Sequence, residues 1–372
     1  MPSKSAKVKD VSGYKSEYKK SVNILLGIAS LVFFGITPLL NFKPAYDYTV
    51  IKDILGALFV AIFAVALYLK KDDILINLKG FIVGTIFFLY ILAGCFYAPV
   101  KYGAAQALEN YLLYYLLFIA GMLWKWEKRD AFIWAASMVV ASITAFVQYH
   151  ITNYPISTFG NPNFFAGHLL MPIFLSLYFV KKKYIPIGII YGIITIAALL
   201  ITKSRASVFA FLVASAFASF LLLRENKIRW LKYIGFIIVI IGTLFLWNSI
   251  KYQFTQDIRY YIWRGTLNLI KEKPILGWGT GNFIFHYPYF RYREYFLRPQ
   301  ATPITNHPHS QYLEIWSENG AIGLLLFVVI LGFALYSGMK KHSKDSYDIS
   351  LFSLTGIIAV VVDNILSTNL TN

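Results

Sequence analysis

A chain of 372 residues that is 58% hydrophobic and only 14% charged, with a mean hydropathy of +0.58, is too apolar for a soluble globular protein. In such proteins roughly a quarter of the residues are charged. The net charge of +17 would suit nucleic acid in a soluble protein, but basic residues also hold cytoplasmic loops in place, so nucleic acid is excluded as a partner. A single cysteine, Cys95, lies in an apolar run, which rules out an internal disulfide and a thiolate metal site.

A bilayer core is crossed by about 20 mostly apolar residues. On that basis the sequence predicts eleven spans, at 22–41, 51–69, 80–99, 108–124, 131–149, 164–180, 184–202, 206–223, 233–250, 320–338 and 350–367. The basic tail, with Lys4, Lys7, Lys9, Lys15, Lys19 and Lys20, runs directly into the first span, which reads as a signal anchor rather than a cleaved leader. Basic residues then recur in alternate loops: Lys70, Lys71 and Lys79; Lys125, Lys128 and Arg129; Lys181 to Lys183; Arg224, Lys227, Arg229 and Lys232; Lys340, Lys341 and Lys344. The intervening loops hold few, Lys203 and Arg205 among them. The positive-inside rule therefore places the N-terminus in the cytoplasm.

The expected organisation is an all-α polytopic integral membrane protein of about 11–12 transmembrane helices with one large extracytoplasmic helical loop. Residues 1–20 form a basic cytoplasmic tail, 21–250 carry helices 1–9, 251–319 form the extracytoplasmic loop, and 320–372 carry helices 10–11. A loop as long as 251–319 is functional or disordered by base rates, and its aromatic and arginine content argues against disorder. The sequence stops just beyond the eleventh span, which leaves open a twelfth helix or an external C-terminus.

Five stretches carry chemistry. "STFGNPNFFAGHLLMP" (157–172) places Asn163 and His168 at the external end of the sixth span, where ionisable groups normally face the bundle interior. In "LLITKSRASVFAFL" (199–212), Arg205 either snorkels to the headgroups or, with Ser204 and Ser207, holds a phosphate. "RYYIWRGTLNLIKE" (259–272) reads as an amphipathic interfacial helix containing Arg264 and stopped by Pro274. The "GWGTGN" that follows is a glycine-rich turn able to cradle phosphate, without the strand and lysine of a nucleotide loop, so no nucleotide is expected. "FIFHYPYFRYREYF" (283–296) adds Arg291 and Arg293, whose forks match phosphate oxygens, among rings that suit sugars or a headgroup zone.

The last stretch, "TNHPHSQYLEIWSENG" (305–320), holds His307, His309, Glu314 and Glu318. Asn306 and Pro308 suit the cap and first turn of a helix. On such a helix His309 and Glu314 stand about 140° apart, which disfavours a metal site. His309 is either a general base where the loop meets the membrane or one of two solvated interfacial histidines. Arginines, a histidine and tyrosines on one face of a bundle suit an anionic, membrane-anchored substrate such as a lipid diphosphate.

From "FGNPNFFAGHL" through "SRASV", "WRGTLNLIKEKPILGWGTGNF" and "YPYFRY" to "HPHSQYLEIWSENGAIGLLLF", the chain resembles the bacterial O-antigen ligase and O-antigen polymerase superfamily, which also contains the protein O-oligosaccharyltransferases. Ser310 departs from the asparagine common after the family histidine. The resemblance implies a GT-C-type membrane glycosyltransferase of the bacterial inner membrane with its site facing the periplasm. The donor would be an undecaprenyl-diphosphate-linked glycan and the acceptor lipid A–core or another glycan, with no cofactor and no metal. His309 would be the catalytic base and Arg205 and Arg264 the diphosphate ligands. Arg291, Arg293, Asn163, His168, His307 and Glu314 are further candidate substrate contacts. Repeat-unit polymerisation, protein O-glycosylation and transport of lipid-linked sugars are the alternatives.

Overall fold

A computed structural model describes residues 19–41, 50–70, 76–223, 237, 240, 257–298, 301–302, 304–342 and 349–367. The described residues contain helices and no strand, and seven of the helical segments are long and apolar enough to cross a membrane. Ile185–Ile201 and Ile349–Asp363 are shorter apolar helices. The chain is therefore an all-helical polytopic membrane protein, as expected. The ninth expected span, 233–250, falls almost wholly outside the described residues.

The helices are α1 (Lys19–Ile36), whose last six residues wind as a π-helix, α2 (Val50–Lys70), α3 (Leu78–Tyr97), α4 (Lys101–Leu123) and α5 (Lys128–Thr152). They continue with α6 (Pro162–Leu169), α7 (Leu175–Lys181), α8 (Ile185–Ile201), α9 (Arg205–Leu223), α10 (Ile258–Glu272), α11 (Gln311–His342) and α12 (Ile349–Asp363). The expected sixth span is interrupted: a short 3-10 turn, Pro172–Phe174, separates α6 from α7. Pro172 lacks an N–H and its ring crowds the preceding turn, so a regular helix cannot run through it.

Contacts divide the chain into two units. The first comprises Met1–Asn77 and Leu113–Ser137. Its core packs Ala29, Val32, Phe59, Phe63 and Ala120, with Trp124 against both phenylalanine rings. The buried Asp130 carboxylate accepts from Ser30 Oγ (2.6 Å), Trp124 Nε1 (3.0 Å) and the Glu127 N–H (2.8 Å). A buried carboxylate needs such partners to offset its lost hydration.

The second unit, Leu78–Leu112 with Met138–Asn372, holds all the candidate residues. Within it α12 packs against α9, α3 packs along α11, and α10 lies against α11. Asp257 caps α10 by accepting the Arg259 N–H at 2.9 Å, and α10 ends at Glu272, with Lys273 as its C-cap ahead of Pro274. Its buried side carries Ile262, Thr266, Leu269 and Ile270, while Arg264 and Lys271 are exposed, in keeping with the amphipathic helix expected there.

The junction within α11 is the sharpest feature of the unit. As expected from a loop helix followed by a separate span, α11 is two helices meeting at Gly320, whose φ of 65° and ψ of −174° are non-helical. This region of backbone space is open essentially to glycine alone. The carbonyls of Pro274 and Ile275 accept the N–H groups of Ala321 (2.9 Å) and Ile322 (3.5 Å), taking up donors that the break releases.

Candidate functional site

The segment His307–Ser310 is not the first turn of a helix, as Pro308 had suggested. The helix starts at Gln311, whose N–H bonds to the carbonyls of Asn364 (3.1 Å) and Ser367 (3.0 Å) just past α12. From the other side Trp263 Nε1 on α10 donates to the Pro308 carbonyl at 2.9 Å. Held by both elements, His309 adopts a left-handed backbone, φ 54°. Histidine tolerates this region better than most residues, yet such a conformation costs of order 1–3 kcal/mol and persists only where its surroundings impose it.

Three influences push the His309 imidazole down from its ordinary value to about 3: burial first, then the Arg259 guanidinium, then His307. It is therefore neutral at any physiological pH, the form that accepts a proton. Arg259 itself is partly buried and donates from Nη1 to the Leu366 carbonyl at 2.9 Å. Burial lowers its pKa and the charges of Asp257 and Asp363 raise it, and a guanidinium in a protein remains charged.

Asp363 ties this corner together. It is 1% exposed, and its two oxygens accept from Ser207 Oγ on α9 and Ser367 Oγ, each at 2.7 Å. Ser207 in turn shares a hydrogen bond of 3.1 Å with Ser204. The "SRAS" segment, the end of α12 and the Arg259–His309 corner are thus linked through one carboxylate. Arg205, between those serines, is exposed and makes no hydrogen bond or ion pair with any described residue.

His307 pairs with Glu314: Nδ1 lies 2.8 Å from Oε1. The second oxygen of Glu314 is buried without a hydrogen-bond partner among the described residues. One turn on, Glu318 does something else. Its carboxylate accepts the N–H groups of Gly281 (2.9 Å) and Phe283 (3.0 Å), while the Ser317 and Glu318 carbonyls accept those of Trp278 and Gly279. The glycine-rich turn read as a phosphate cradle is filled by the protein's own carboxylate. Its glycines permit close approach: a Cβ on Gly279 would lie 2.4 Å from Ala98 Cα, and one on Gly281 2.2 Å from the Gly103 carbonyl. Glu318→Gln, which leaves one acceptor for two donors, is expected to lower stability by about 1–3 kcal/mol. A thermal shift of the detergent-solubilised protein measures it; an unchanged melting temperature would contradict this role.

The remaining sequence candidates are more scattered. Arg264 is exposed, with its guanidinium carbon 4.4 Å from the Tyr292 ring centroid and 5.5 Å from that of Tyr260. It stands about 140° around α10 from Arg259, and the charges that bear on His309 are those of Arg259 and His307. Arg291 sits among Tyr287, Tyr295 and Phe296, and Arg293 is exposed. Asn163 lies at the start of α6, where its N–H is capped by Asn161 Oδ1 at 2.8 Å. His168 packs on Phe159, ring centroids 4.5 Å apart.

Sequence reasoning missed Arg259, Trp263 and Asp363. Arg259 and Trp263 are four apart on a helix that was expected, and so share an edge. Asp363 is the one acidic residue of an apolar span, and ionisable groups in spans mark function.

Helices of membrane-crossing length and a polar corner where loop, α10 and two helix ends meet define a membrane-embedded protein with a guanidinium beside a neutral histidine. Residues 190–328 match the family model described as O-antigen ligase, a segment that contains Arg205, Arg259, Arg264 and His309. The resemblance to the O-antigen ligase superfamily is thus supported over that segment. An uncharacterized protein of Haemophilus influenzae is 28% identical over 105 residues, 28% of this chain and 25% of the relative. A Rickettsia conorii protein named "Putative polysaccharide ligase" is 33% identical over 99 residues, 26% of this chain and 23% of the relative. The chain matches about a quarter of the length of these curated relatives.

Proposed function

We propose that this protein is a polysaccharide-ligase-type glycosyltransferase of the bacterial inner membrane. It transfers a glycan from undecaprenyl diphosphate to an acceptor hydroxyl, with lipid A–core as the leading acceptor. The observation that carries the reading is the placement of His309, neutral and conformationally constrained, beside the charged Arg259 within a segment matched by the O-antigen ligase family model.

The acceptor hydroxyl gives its proton to His309 as its oxygen attacks the anomeric carbon. The bond from that carbon to the diphosphate oxygen breaks, and the electron pair leaves with undecaprenyl diphosphate. A single displacement inverts the anomeric centre. Arg259 and Arg205 meet the negative charge that grows on the leaving group, in the manner of arginine forks at phosphate oxygens. With the charge answered by guanidinium groups, no metal is needed, so a chelator should leave the rate unchanged. The lysine-rich loops keep the N-terminus and the even-numbered loops in the cytoplasm, so the site opens to the periplasm.

The depressed basicity of His309 has a kinetic consequence. An anionic donor beside Arg259 cancels part of the positive field and raises the imidazole pKa as the complex forms. The acid limb of kcat/KM, which reports the free enzyme, should lie well below the ordinary histidine range. The limb of kcat should lie higher. Arg259→Gln removes a positive charge, so it should move the kcat/KM limb upward; a limb left in place would show that Arg259 does not act on His309.

The reading is tested with purified protein, an undecaprenyl-diphosphate oligosaccharide and products resolved by size. A single transfer only when lipid A–core is added supports the ligase. A ladder of multiples without it makes the protein a polymerase. No transfer to any acceptor, with donor moved across proteoliposomes, would replace the enzyme by a transporter.

A further inference from the structure

The exposed side of α10 carries a second arrangement, about a third of a turn around the helix from the Arg259–Trp263 edge. Tyr260, Arg264, Asn268 and Lys271 follow one another at spacings of four, four and three, and so form one stripe about 16 Å long. Asn268 joins its members: Nδ2 donates to the Tyr292 hydroxyl at 2.7 Å, and Oδ1 accepts from Lys271 Nζ at 3.5 Å. The Tyr292 and Tyr260 rings flank the Arg264 guanidinium, whose carbon lies 4.4 and 5.5 Å from their centroids. No described residue hydrogen-bonds or ion-pairs with the Arg264 guanidinium, so its N–H donors are uncommitted among the described residues.

A guanidinium positioned by rings but given no anion is preorganised for one. The surroundings agree in sign: between residues 257 and 298 stand Arg259, Arg264, Lys271, Lys273, Arg291, Arg293 and Arg298 against only Asp257, Glu272 and Glu294. The ligand's own chemistry follows from the neighbours. Tyrosine faces suit the C–H faces of a sugar ring, an amide suits hydroxyls, and the arginine edge suits a carboxylate.

We propose that this stripe is a saccharide subsite that takes an acidic sugar unit, its carboxylate held by Arg264 and Lys271, separate from the diphosphate site. The proposal rests on the glycosyltransferase reading and gives it a substrate class: a glycan bearing uronic-acid-type charge.

The test is a binding measurement on the whole protein in neutral maltoside detergent, by saturation-transfer NMR and calorimetry, with trigalacturonate and maltotriose as probes. Trigalacturonate should bind saturably, Arg264→Gln should weaken it about tenfold or more, and Arg264→Lys should restore it only in part because lysine lacks the fork. Maltotriose should bind more weakly and be indifferent to Arg264→Gln. Equal binding of the two sugars, or trigalacturonate binding unaltered by Arg264→Gln, overturns the subsite. Arg264-dependent capture of phosphatidylglycerol without trigalacturonate binding also overturns it, and makes the stripe a headgroup contact. Inorganic pyrophosphate, titrated in parallel against wild type and Arg259→Gln, separates the two readings. Arg259-dependent pyrophosphate binding with no response to trigalacturonate discards the subsite and leaves the donor site standing. Loss of both discards the glycosyltransferase reading as well.

Discussion

His309→Ala is expected to cut glycan transfer by roughly 10²–10⁴-fold, the range that general-base catalysis contributes, while diphosphate binding is retained. Retention follows because in the proposed mechanism the anion is met by Arg259 and Arg205, and Arg259 is positioned by the Leu366 carbonyl and the neighbouring Asp363 rather than by the imidazole. The measurement pairs single-turnover transfer with pyrophosphate binding in the same preparation. If binding falls together with rate, His309 is a ligand or a structural residue, and the base must be sought elsewhere. The left-handed backbone at 309 makes the alanine a slightly strained replacement. His309→Asn, which tolerates that conformation, therefore separates loss of the base from loss of the turn.

Gly320→Ala is expected to have the largest effect on stability, several kcal/mol or outright failure to fold. Two causes act together. The backbone at Gly320 lies where an L side chain is strongly disfavoured, and a Cβ there would sit 2.0 Å from the Ile275 carbonyl oxygen. That carbonyl is a hydrogen-bond acceptor for Ile322, so it cannot withdraw without losing the bond. Gly332, in the same helix, is the control: nothing lies within 4 Å of its added Cβ, and alanine is the better helix former. Size-exclusion profiles and thermal melts of the two variants should therefore diverge. A well-folded Gly320→Ala protein would mean that the break is a local irregularity and not a point of assembly.

Most of the spans were legible because a bilayer imposes a length and a composition that few other structures share, although α4 at the expected fourth span is not among the described helices apolar enough to cross. The motif region was legible as a place but not as an arrangement. Pro308 and Asn306 carry the local signals of a helix start, and in isolation they would be one. The start moves to Gln311 because Trp263, Asn364 and Ser367, each far away in the chain, take the backbone groups that a first turn would use. Periodicity gave α10 two faces correctly but could not say which looks toward the histidine. The motif therefore singled out Arg264, and not Arg259, which lies nearer the helix start. Glu318 read as titratable chemistry, and its two backbone partners in the glycine turn become visible only once that turn is folded against α11. Asp363 was hidden for the opposite reason, as a lone acid within a segment judged on its apolarity.

The glycine turn finishes its hydrogen bonding on α11, and the break at Gly320 finishes its own on the Pro274–Ile275 strand of backbone. The segment that carries the glycine turn is therefore not an interchangeable part. Recombining specificity between relatives by swapping the loop alone would join a donor set from one parent to an acceptor set from another. A crossover placed after Ile322, beyond the last of these shared bonds, would carry both halves of the joint together.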